Sequence, residues 1–132
     1  FGKATVLKKG AKVALISLGD MLYAAEKVSE ILIENNLSPS LIDLRFAKPL
    51  DKELLLQVAT EHPLICTLES AALTGGVGEA IAHLLNENSS ISQLLTFGVN
   101  DEFIPHGTPA ELENYMKLSP TYIAAKIMAY LA

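Results

Sequence analysis

Two periodicities take turns along this chain. Lys12 to Leu18 is a continuous apolar run (KVALISL), the pattern of a strand covered on both faces. Ser40 to Phe46, Leu64 to Leu68 and Gln93 to Phe97 repeat that pattern. Between these runs the apolar residues fall into helical spacing. Met21 to Asn35 sets Ala24, Val28, Ile31 and Leu32 against Glu26, Lys27, Glu30 and Glu34, an amphipathic helix ended by Asn35-Asn36. Pro49-Leu50-Asp51 starts a second helix, with Asp51 as cap and Leu50 packing on Leu55, and His62-Pro63 stops it after Glu61. A third runs from about Gly75 to Glu87 and turns Val77, Ile81, Leu84 and Leu85 inward, before a turn at Asn88-Ser89-Ser90. At the start of the chain, Lys3 to Lys9 alternates and closes on Gly10, as suits an edge strand. At the other end, Thr108-Pro109-Ala110-Glu111 reads as a capping box opening a short helix to about Met116. Ser119-Pro120 repeats the device ahead of a last helix with Ile123, Ile127 and Leu131 four apart.

Strands alternating with helices at this pitch are joined by right-handed crossovers into a parallel sheet. The expected fold is therefore α/β: one three-layer α/β/α domain over residues 1–132, mostly parallel, with the N-terminal piece as an antiparallel edge strand. With 132 residues, half of them apolar, the chain can bury a core without disulfides or metal. It contains no apolar run long enough to span a membrane and no signal-peptide pattern at its start. It begins at Phe1, as a processed chain or a fragment of a longer one would. The net charge of −5, with Arg45 the single arginine and no basic stripe, argues against a nucleic-acid partner. The one cysteine, Cys66, lies within an apolar run and reads as a small core residue in a reducing cytoplasm rather than a reactive thiol.

Candidate chemistry concentrates in Leu64 to Gly78, where a buried run ends on Glu69 and Gly75, Gly76 and Gly78 open a helix. The edge of an open α/β sheet at which a carboxylate and a helix N-terminus converge is where ligands or partners bind. The loop Gly98 to Gly107 belongs to the same edge, so Glu69, Gly75, Gly76, Gly78, Asp101, Phe103 and His106 are expected together there, facing another domain or a second chain rather than a small molecule. Rival chemistries fit less well. His62, His83 and His106 show no metal spacing, Ser70 lacks a nucleophile-elbow context, and no phosphate-binding G-x-x-x-x-G-K-[ST] occurs. A dinucleotide site would need its first glycine directly after the strand, whereas Ser70 to Thr74 intervene. Close packing of the glycine-rich turn on the sheet or on another chain accounts for these glycines better. Gly19-Asp20 begins like a G-D-G diphosphate clamp but continues with Met21, and Asn35-Asn36 come too soon to be its metal-binding asparagine.

Taken together, Asp43-Leu44-Arg45-Phe46-Ala47-Lys48-Pro49-Leu50-Asp51, the Glu69 to Gly78 loop, Gly98 to Gly107 and Ile123-Ala124-Ala125-Lys126-Ile127 resemble the C-terminal domain of the 1-deoxy-D-xylulose-5-phosphate synthases, a transketolase-like family. The resemblance covers essentially the whole chain. It implies an enzyme that uses thiamine diphosphate and Mg2+ to join pyruvate and glyceraldehyde 3-phosphate with loss of CO2, as a homodimer in the cytoplasm or in a plastid. It also implies that the cofactor is held by the preceding domains. This domain would bind none itself, carry no catalytic residue, support dimer packing and the outer wall of the site, and be inactive alone. The family usually has a second acidic residue at Ser70, a proline at Asn100 and a hydroxyl residue at Asp20. The equivalent domain of a transketolase or of a 2-oxo acid dehydrogenase β subunit, docking a partner subunit, is the alternative, and a free-standing nucleotide-binding regulator a weaker one.

Overall fold

The computed structural model describes residues 2–72, 76–99 and 118–132. Along the chain it forms β1 (Thr5–Lys8), β2 (Val13–Ser17), a short 3-10 turn (Gly19–Met21), α1 (Leu22–Glu34), β3 (Ser40–Asp43), α2 (Lys52–Glu61), β4 (Leu64–Ala72), α3 (Val77–Glu87), β5 (Gln93–Val99) and α4 (Pro120–Leu131). The sheet order is β1-β3-β2-β4-β5. β1 is antiparallel to β3 and every other pairing is parallel. After β2 the chain first turns outward to β3 and then crosses back to β4, so the topological switch point falls between β2 and β4.

The continuous apolar runs follow from burial on two sides. Val13 and Leu15 of β2 join Cys66 and Leu68 of β4 beneath α1 and α4, where Val28, Leu32, Ile123 and Ile127 are buried. Ala14 and Ile16 point the other way and meet Ile65, Leu55, Val58, Ile81 and Leu84 beneath α2 and α3. Each fully buried Leu or Ile contributes about 1.5–3 kcal/mol relative to exposure, and both layers depend on the two central strands.

The caps fall where the sequence places them. Asp51 accepts the Leu54 N–H through Oδ1 at 3.2 Å, and its Oδ2 accepts the Ala4 N–H at 2.9 Å, so one carboxylate holds both the start of α2 and the lead into β1. Ser119 Oγ accepts the Tyr122 N–H at 3.3 Å ahead of Pro120. Three details differ from expectation. β3 stops at Asp43 and not at Phe46, because Asp43 Oδ1 accepts the Arg45 N–H at 3.2 Å and Arg45 turns to φ 66°, out of extended geometry. β4 continues beyond Glu69 to Ala72, with its register against β5 broken between Leu68 and Ala72. On α1 the buried stripe is Ala25, Val28, Ser29 and Leu32, with Ala24 and Ile31 at its margin. The expected short helix from Thr108 to Met116 lies outside the described residues.

Candidate functional site

Alternation along β4 puts Ile65, Thr67 and Glu69 on the face that α3 covers. Glu69 is 1% exposed, and its carboxylate reaches the first turn of that helix. The Val77 N–H donates to Oε1 at 2.8 Å and the Gly78 N–H donates to Oε2 at 2.7 Å. Gly76, the N-cap residue, has no side chain to cap with, so a strand-borne carboxylate takes two of the helix's free donors. It also places a negative charge at the positive end of the helix. Hydrogen bonds to a charged group contribute about 1.5–3 kcal/mol each, which is the scale needed to offset burying that charge.

Gly78 explains how the helix comes so close. A Cβ there would lie 2.7 Å from Thr96 Cγ2, 2.9 Å from Thr67 Oγ1 and 3.2 Å from Glu69 Oε2. Any side chain would lift α3 off β4 and β5 and lengthen both bonds to Glu69. The packing is tight enough that Thr67 Oγ1, fully buried, has no hydrogen-bond partner among the described residues.

The switch point is bridged rather than open. The Leu18 N–H donates to the Leu68 carbonyl at 3.1 Å, and Ser70 Oγ donates to Asp20 Oδ1 at 2.8 Å across the end of the crevice.

The structure brings Glu69, Gly76 and Gly78 together at the C-terminal edge of the sheet. Gly75, Asp101, Phe103 and His106 lie outside the described residues. Among the described residues, the start of α3 and the turn at Asp20 do not fit a diphosphate group. The helix terminus that would receive one is filled by a carboxylate, and Asp20 of the would-be clamp brings negative charge already engaged by Ser70. Among the described residues no three His, Cys, Asp or Glu side chains are grouped to hold a metal ion.

The remaining candidates have structural partners. His62 is buried, with Nδ1 2.8 Å from the Val58 carbonyl and Nε2 2.8 Å from Ser40 Oγ. The carbonyl only accepts, so Nδ1 carries a proton, and Nε2 faces a serine whose oxygen accepts the Gly10 N–H at 2.9 Å. His83 is exposed and sits 3.4 Å from Glu87 one turn along α3. Burial pushes the Cys66 thiol up to about 12 and keeps it protonated, as befits a core residue.

Sequence reasoning missed the opposite edge of the sheet. There a groove of about 660 Å3 opens between the ends of α2 and α3, lined by Leu56, Ala59, Glu61, Pro63, Ser89 and Ile91 among others. Ser92 closes its floor, with Oγ 2.6 Å from the Ala59 carbonyl and 2.7 Å from that of His62. The available signal was Ile91, an isolated large apolar residue inside a polar turn.

Comparison with known proteins fits this geometry. The chain is 40% identical over 131 residues to the 1-deoxy-D-xylulose-5-phosphate synthase of Pseudoalteromonas atlantica, covering 99% of this chain and 20% of that protein. It is 37% identical over 131 residues to the synthase of Helicobacter hepaticus (98% and 21%) and 39% identical over 127 residues to that of Thermosynechococcus vestitus (96% and 20%). The chain therefore spans about a fifth of the length of these curated relatives. Among solved structures, a split-gene transketolase described as an inactive β4 tetramer superposes with a TM-score of 0.89 at 30% identity, covering 97% of this chain and 42% of that one. The transketolase of Campylobacter jejuni gives 0.67 at 16% identity over 97% of this chain and 18% of that one, a likeness of fold alone. The family model for the transketolase C-terminal domain matches residues 2–123, from the lead into β1 to the first turn of α4, and the chain belongs to that family.

Proposed function

We propose that this chain is the C-terminal domain of a 1-deoxy-D-xylulose-5-phosphate synthase, the enzyme that condenses pyruvate with glyceraldehyde 3-phosphate and releases CO2. The observation that carries the reading is the 37–40% identity to synthases of separate bacteria along 96–99% of the chain. Thiamine diphosphate and Mg2+ belong to the preceding domains in this reading, which the occupied N-terminus of α3 supports. The domain's part is to pack against those domains and a second copy, in the cytoplasm or a plastid, with Gly75, Gly76, Asp101, Phe103 and His106 forming the contact edge and outer wall of the site, and with Glu69 and Gly78, buried within this chain, fixing the start of α3 for it. It has no turnover of its own.

The test compares three proteins in a CO2-release assay with both substrates, thiamine diphosphate and Mg2+: the longer polypeptide containing this sequence, the same polypeptide lacking it, and residues 1–132 alone. Activity is expected in the first only. Turnover by residues 1–132 alone, or a longer polypeptide indifferent to these substrates, overturns the reading. Gly76→Val probes the contact edge, because Gly76 has φ −86° and its backbone suits any residue. Assembly of the longer protein should suffer more than folding of the domain, and equal damage to both counts against the contact.

A further inference from the structure

The end of β3 carries a strained turn. Beyond Asp43 the Phe46 N–H donates to the Leu44 carbonyl at 2.7 Å, and Arg45 between them has φ 66°. That is a γ-turn of the rare hand, which strains any residue other than glycine. It is held from both sides: Asp43 Oδ1 accepts the Arg45 N–H, and the Leu44 N–H donates to the Ser17 carbonyl at 2.9 Å. Lys12 makes a like turn at the opposite edge, with φ 73° and the Val13 N–H 2.9 Å from the Ala11 carbonyl. There the use is visible, because the Lys12 carbonyl accepts the Leu64 N–H where β2 begins to pair with β4. Among the described residues the Arg45 carbonyl accepts nothing, which leaves the side chain as the reason for the turn.

Arg45 is the single arginine of the chain. It is exposed, and its guanidinium lies over the ring of the half-buried Phe46, 5.4 Å from the ring centre. Such a contact steadies the guanidinium through its face and leaves the N–H groups along its rim to others. Among the described residues no carboxylate is in ion-pair reach of it, Asp43 included, and exposed Lys48 three residues on has no such partner either. The strands β3, β2 and β4 end side by side, with Asp43 next to Ser17 and Ser17 next to Leu68. Arg45 therefore stands on the same edge of the sheet as Glu69 and the start of α3.

We infer that Arg45 anchors the contact between this edge and the preceding part of the longer polypeptide, its guanidinium taking the carboxylate of an Asp or Glu there in a two-pronged hydrogen bond. The inference rests on the reading of this edge as that contact, and adds to it a residue and a chemistry. A planar fork matches a planar carboxylate. Backbone strain is retained where a group is preset for its partner, and a guanidinium already placed against a ring loses little freedom on binding. A carboxylate suits the position better than a phosphate, because the charge of Asp43 beside Arg45 weighs more heavily against a dianion than against a monoanion.

The test uses the longer polypeptide. Phenylglyoxal, which modifies accessible guanidinium groups, should spare Arg45 with no anion added. In Arg45→Lys, a carbodiimide should join the introduced amine to an Asp or Glu that precedes residue 1. Arg45→Ala and Arg45→Gly should each speed thermolysin cleavage between this domain and the preceding part by about tenfold, and Arg45→Lys, which keeps the charge without the fork, by about threefold. Arg45→Gly should nonetheless melt about 3 °C above Arg45→Ala, because glycine relaxes the turn while both variants lose the contact. Protection of Arg45 that appears only when inorganic phosphate is added would assign the guanidinium to a phosphate ligand and overturn the inference. Cleavage unchanged by the variants, a carbodiimide link confined to residues 1–132, or a glycine variant no more stable than the alanine one would overturn it too. CO2 release is scored separately: an active enzyme without the link sinks this inference alone, and the link in a protein indifferent to the substrates sinks the synthase reading alone.

Discussion

The two edges of this sheet solve the same problem with different chemistry. At the C-terminal edge α3 begins with unpaired N–H groups, and a single buried carboxylate, Glu69, accepts two of them. At the N-terminal edge α2 ends with unpaired carbonyls, and side-chain donors meet them: His62 Nδ1 lies on the Val58 carbonyl, and the single Ser92 hydroxyl is shared between those of Ala59 and His62. One site is concentrated in one residue and closed by its own charge. The other is spread over two side chains from separate parts of the chain, His62 and Ser92, beside a groove. Concentration makes the first edge fragile to a single substitution, whereas distribution makes the second tolerant.

Substitution should show that ranking directly. Glu69→Ala strands two buried N–H groups and opens a hole, so thermal or urea unfolding should register a loss of about 3–5 kcal/mol. A loss no greater than that of a surface control would break the comparison. Gly78→Ala, which forces a methyl group against Thr96 and Thr67, should cost about 1–3 kcal/mol, and it should do so without altering helix content. At the tolerant edge, His62→Ala and Ser92→Ala should each cost about 1–2 kcal/mol. Their sum should exceed the cost of the double variant, because Ser92 contacts the His62 carbonyl; strict additivity would show that no shared network exists. Cys66, midway along β4 and belonging to neither edge, adds an effect confined to alkaline pH. Its folded value is raised to about 12 from an ordinary value of 9.0, so the unfolded chain ionises first. The stabilisation it confers is complete below pH 9.0 and is lost as pH climbs toward 12, a slope that Cys66→Ala should remove from the alkaline unfolding curve.

Much of this architecture is legible along the chain because its signals are local. Apolar runs mark β2 and β4, Asp51 and Ser119 mark helix starts, and Pro63 marks an end. Gly78 could be read as a close-packing residue for the same reason. What escapes is whatever depends on distant partners. His62 meets Ser40 across 22 residues and Ser92 meets the His62 carbonyl across 30, and neither spacing has a signature. Glu69 was legible as a carboxylate arriving beside a helix start, but not that it doubles back onto that helix, since the sequence does not say how far the intervening turn travels. β3 ended early because a left-handed Arg45 overrode an apolar pattern that continued through Leu44 and Phe46.

Asp51 carries a consequence beyond its cap. The same side chain fastens the opening turn of α2 and the peptide leading into a four-residue margin strand, so the two cannot loosen independently. Were that clasp undone, β1 would be free to peel away and bare the hydrogen-bonding rim of Ser40–Asp43, the kind of naked ladder on which polypeptides stack into aggregates.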